Sequence, residues 1–156
     1  MAGKPVGPDE FWADYEKKTG DKVLAFCLGQ YISGWDEFNR PLWGLLIATE
    51  GGFRFHHFPH EGWLQALARI GTGGEVPKEK TLFLPGERIV SAELRIEKSW
   101  WRRLFAARPP LFVLQYLRED GGRTELVIEA EKKAQTLVDC FTALSAAAFP
   151  PDTPTP

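Results

Sequence analysis

The chain has 156 residues, the size of one ordinary domain, with 19 Lys and Arg against 21 Asp and Glu and a net charge of -2. That balance argues against a diffuse attraction to nucleic acid. With 44% hydrophobic and 26% charged residues, and no run of about 18 apolar residues, it reads as a folded globular domain and not as a disordered chain or a membrane span. Residues 9–18 (DEFWADYEKK) place Phe11, Trp12 and Tyr15 at helical spacing, with Lys17 and Lys18 in the last turn and Gly20 beyond. They predict a short helix with Asp9 as its N-cap, inside an N-terminal extension of residues 1–20. Residues 22–32 are apolar on both faces and predict a strand. Residues 41–49 and 52–58 flank Glu50-Gly51, a tight turn that calls for positive φ, and so predict a hairpin. Residues 61–70 return to helical spacing through Trp63, Leu64, Leu67 and Ile70, and a Gly-rich loop follows.

A second run of strands comes next. Residues 81–84 form a short one. Residues 89–98 alternate, with Val90, Ala92, Leu94 and Ile96 inward and Ser91, Glu93, Arg95 and Glu97 outward. Residues 111–118 and 123–130 join through Glu119-Asp120-Gly121-Gly122, a second hairpin. Residues 131–148 carry Ala134, Leu137, Val138, Phe141, Leu144 and Ala148 as one helical stripe. The proline-rich stretch 149–156 reads as a disordered tail. The expected class is mainly β (α+β): seven antiparallel strands forming a sandwich or barrel, capped by a C-terminal amphipathic helix. A short N-terminal helix and a short inserted helix complete it.

Residues 21–148 resemble the pleckstrin-homology-like (PH-like) domains, in particular the bacterial ones. The resemblance rests on the strand order of four and then three. It rests also on LFLPGERIVSAELRIEK (82–98), and on PPLFVLQYLREDGGRTELVIEA (109–130) running straight into the last helix. Another small β-barrel or sandwich with one helix fits the same pattern. The resemblance implies a binding module for lipid headgroups, peptides or proteins. Lipid-binding members carry Lys and Arg in the loop between the first two strands, whereas residues 33–40 (SGWDEFNR) set Asp36 and Glu37 against Arg40. That departure argues against a phosphoinositide site of the usual kind.

The chain holds no G-x-S-x-G, H-E-x-x-H, C-x-x-C or G-x-G-x-x-G, so no enzyme and no cofactor are expected. His56, His57 and His60 cluster, but alternation splits the first two between opposite faces, so no metal site is expected. Cys27 and Cys140 are too few and too far apart for a disulfide framework. They read as two buried thiols of a reducing compartment, which with an N-terminus lacking an apolar run predicts a cytoplasmic protein.

The unusual segment is residues 98–108 (KSWWRRLFAAR). Lys98, Arg102, Arg103 and Arg108 stand there without one carboxylate, interleaved with Trp100, Trp101, Leu104 and Phe105. Two structural readings are open. The segment is an exposed loop tip built for contact, or one apolar end of a bent hairpin packed on the domain's own core with its Arg side chains reaching outward. If exposed, Trp and Arg suit a protein interface or self-association, and the same pair suits an anionic membrane surface. The expected function is therefore a non-catalytic interaction module binding protein or a second copy, with anionic membrane as the alternative and no nucleic acid. A small-ligand carrier using the sandwich interior is a further class, which a cavity of about 300 Å³ or more among the aromatic side chains would support.

Overall fold

The computed structural model describes residues 8–57, 80–96, 98–105 and 108–148. These form helix α1 (Pro8–Thr19) and strands β1 (Val23–Ser33), β2 (Leu42–Thr49), β3 (Gly52–His57) and β4 (Lys80–Pro85). A 3-10 turn (Gly86–Arg88), strand β5 (Ile89–Arg95), helix α2 (Trp100–Phe105) and strands β6 (Leu111–Leu117) and β7 (Arg123–Ala130) follow. A second 3-10 turn (Lys132–Ala134) leads into helix α3 (Gln135–Ala148). The helix expected at 61–70, the Gly-rich loop behind it and the tail lie outside the described residues.

The strands make one seven-stranded antiparallel sheet in the order β4-β3-β2-β1-β7-β6-β5. It is not closed. Its two edges, β4 and β5, are consecutive in the chain and joined only by the Gly86–Arg88 turn. β1 serves both halves: residues 23–31 pair with β2, and residues 29–33 pair with β7, the register slipping between Tyr31 and Ser33. A bulge of this kind bends a strand and increases its twist.

The bend folds the sheet over on itself. β3 and β6 are four strands apart, which on a flat sheet is about 19 Å. Yet the rings of Phe53 and Phe112 stack with centroids 5.7 Å apart. Alternation fills the space between the two halves with Tyr31, Leu46, Phe53, Phe55, Leu84, Phe112, Leu114, Leu126 and Ile128, all buried. α3 lays its stripe on the same side against β1, β2 and β5, burying Leu137, Val138 and Phe141, with Leu144 half-buried. α1 packs on the opposite face, where Trp12 meets Phe26 at 4.3 Å between ring centroids and Tyr15 Oη lies 2.6 Å from His56 Nε2.

Five expectations need correction. Asp9 is not the N-cap: α1 begins at Pro8, whose fixed φ suits a first helical residue, and Asp9 sits inside the first turn. Positive φ falls at Gly52 (150°), not in the Glu50-Gly51 pair, because a Cβ there would collide with the Leu84 carbonyl of β4. Asp21 ties that turn instead. It accepts the Gly51 N–H at 2.9 Å and the Thr49 hydroxyl at 2.5 Å. β5 stops at Arg95, so Ile96 is exposed, while Ala92 and Leu94 are inward as expected but only half-buried. The last helix opens as a 3-10 turn. Of the two thiols only Cys27 is buried, and Cys140 is half-buried.

Candidate interaction surface

Within residues 98–108 the middle is helical, where the sequence suggests a loop tip or a hairpin end. Trp100–Phe105 form α2. Trp100, Trp101, Leu104 and Phe105 recur at i, i+1, i+4 and i+5, the spacing of neighbouring positions on a helix. Ser99 stands just before the first turn, where a hydroxyl suits the unpaired N–H groups, and Pro109-Pro110 bars any continuation. Trp100 and Trp101 pack against each other with ring centroids 4.0 Å apart.

What those rings do not do is pack on the domain. Trp100 and Trp101 are each 59% exposed, Leu104 66% and Phe105 82%. Arg102 is exposed as well, so every α2 side chain that is described faces outward, and α2 has no extensive contact with any other element. A helix of six residues has no independent stability in water. It stands between β5 and β6 with four large apolar groups exposed to solvent.

Residues 98–108 carry cations and no carboxylate. Lys98, Arg102 and Arg108 are exposed; Trp100, Trp101, Arg102 and Arg103 belong to α2, while Lys98 precedes it and Arg108 follows it. On β5 and β7, Glu93 and Glu125 are both bonded to Arg95, at 2.6 and 3.3 Å. The Gln115 amide, and behind it the Arg95 guanidinium, hold the Glu125 carboxyl below its ordinary range.

The loop between β1 and β2 (residues 34–41) is packed inward. Phe38 is buried and Trp35 is packed against the core. The Tyr31 hydroxyl accepts the Trp35 N–H at 2.8 Å, and the Tyr116 hydroxyl donates to the Gly34 carbonyl at 2.7 Å. The cleft beside it, about 380 Å³, is rimmed by Asp36, Glu37, Glu119 and Asp120, with Arg118 paired to Asp36 at 3.6 Å. Arg88 lines it too, so four carboxylates face two guanidinium groups there and the lining stays net acidic.

Other titratable and thiol groups are placed as follows. His56 and His57 are half-buried at the end of β3 and bond to Tyr15 and to the Trp43 carbonyl. Among the described residues no three His, Cys, Asp or Glu converge as a metal site; His60 lies outside them. Burial pushes the Cys27 thiol up to about 12 and also raises that of Cys140, the reverse of what a nucleophile needs. The aromatic interior is filled by its own rings, and the groove of about 410 Å³ beside Trp12 and Phe26 opens on the outer surface. Among the described residues no helix is long and apolar enough to cross a membrane.

No family model matches the chain, and no curated protein matches it. Among solved structures it is similar to the hSac2 domain from the human phosphoinositide phosphatase Sac2. The TM-score is 0.51 at 10% identity, over 92% of this chain and 86% of that one. At that identity the likeness concerns the path of the backbone alone.

Proposed function

We propose that this chain is a non-catalytic, PH-like interaction module of the cytoplasm whose contact surface is the α2 segment. The observation that carries the reading is the exposure of Trp100, Trp101, Leu104 and Phe105 together on one short helix. Fully covering a large apolar side chain is worth roughly 1.5–3 kcal/mol, so a partner laid over α2 has a substantial driving force. The PH-like reading is supported by the strand order, the fold-over at β1 and the final helix on the inner side. In that reading the folded sheet is a sandwich and α3 its cap.

Two kinds of partner suit the surface. A protein, including a second copy of this chain, would use the Trp pair and Arg102 as anchors. An anionic membrane is favoured by one specific observation: the four cations of residues 98–108 have no carboxylate among them. Each basic residue near an anionic leaflet adds about 1 kcal/mol.

Size-exclusion chromatography with light scattering tests the second-copy version. Self-association through α2 gives a mass above the monomer that rises with concentration and returns to monomer in Trp100→Ala/Trp101→Ala. If wild type and variant run as identical monomers, a second copy is not the partner.

A further inference from the structure

We propose that the partner of α2 is an anionic lipid bilayer. Phe105, Leu104 and the two Trp rings enter the headgroup–acyl boundary, while Lys98, Arg102, Arg103 and Arg108 stay among the lipid phosphates. The inference rests on the reading of α2 as the contact surface.

Two features choose lipid over protein. The first is the split of α2 into two faces: Trp100, Trp101, Leu104 and Phe105, at i, i+1, i+4 and i+5, share one exposed side and Arg102 stands at a position on the other, the pattern of a helix lying in a membrane interface. The second is charge complementarity: residues 98–108 carry four cations and no carboxylate, and each cation near an anionic leaflet adds its own attraction. The arrangement also grades by depth. Trp is at home at headgroup level, and Phe105, the most exposed of the four at 82%, is placed to go deepest.

The test is co-sedimentation of the full chain with phosphatidylcholine vesicles with and without phosphatidylglycerol, at low and physiological salt. Binding is expected to the anionic vesicles only, and to weaken with salt. Arg102→Gln/Arg103→Gln is expected to lower the affinity about thirtyfold, and Trp100→Ala/Trp101→Ala by at least about tenfold. Trp43→Ala, at another exposed Trp (60%) on β2, should change nothing. Circular dichroism on each variant confirms that the fold is kept.

Absence of binding to anionic vesicles at low salt overturns the inference. So does binding that survives both α2 variants, or binding that is equal on uncharged vesicles. Hydroxyl-radical footprinting separates the two levels. If α2 labels strongly in the free protein but vesicles do not bind, the lipid inference fails and the contact surface stands. If α2 is protected in the free protein at a concentration where it is monomeric, the contact-surface reading itself fails.

Discussion

Phe112→Ala should lower the unfolding free energy by about 3–5 kcal/mol in a urea or thermal denaturation experiment. Phe112 is fully buried, and it is the point where the folded sheet and α3 meet. Its ring stacks on Phe53 of β3 at 5.7 Å and lies 6.5 Å from Phe141 of α3, while Phe53 and Phe141 are 6.1 Å apart. Deleting the ring removes buried area, leaves a void and breaks a contact between the two halves of the folded sheet. Phe112→Leu keeps most of the volume and should cost less than about 1.5–2 kcal/mol. A loss below about 1 kcal/mol for the alanine variant would mean that the two halves do not meet at this ring.

The second large effect belongs to Gly34, at the start of the loop between β1 and β2. Its φ is 104°, and a Cβ there would run into the Glu125 carbonyl of β7 and come within 2.8 Å of Leu126 Cα. These are backbone atoms of a paired strand and cannot swing aside. Gly34→Ala should therefore destabilise by about 2–4 kcal/mol, combining strain at positive φ with displacement of β7. Gly121→Ala is the control. Its φ is 83°, but a Cβ would meet nothing within 4 Å, so only the conformational cost of about 1–2 kcal/mol remains. Equal losses at the two positions would show that Gly34 is not pressed against β7.

The strands were legible because each satisfies a local rule. In β7, Leu126, Ile128 and Ala130 alternate with Glu125, Val127 and Glu129, and the structure buries the first set. The turn at 119–122 follows its own chemistry, with the Asp120 carboxylate accepting the Gly122 N–H at 2.7 Å. What escaped the sequence depends on partners far along the chain. The split pairing of β1, the Tyr116–Gly34 hydrogen bond across 82 residues and the tie from Asp21 to Gly51 leave no trace in any single window. The Gly52 backbone was misplaced by one residue for the same reason: the neighbour that demands a glycine is Leu84, on another strand.

The candidate surface was half legible. Its composition stood out, with cations and aromatics but no carboxylate in residues 98–108. Its conformation did not, although the i, i+4 pairs Trp100/Leu104 and Trp101/Phe105 ahead of Pro109 carry a helical signal. A six-residue helix is too short for periodicity to outweigh the strand pattern on either side. Exposure was beyond sequence reach. Residues such as Trp100 and Phe105 are equally at home in a core, and only the fold places them outside it.

Hydroxyl-radical footprinting read by mass spectrometry, with and without anionic vesicles, tests α2 as the contact surface most directly. In the free protein Trp100, Trp101 and Phe105 should label strongly while Phe53, Phe112 and Phe141 stay dark, following their exposure. On vesicles containing phosphatidylglycerol the α2 labels should fall while that of Trp43 holds. Trp100, Trp101 and Phe105 already protected in the monomeric free protein would contradict the account.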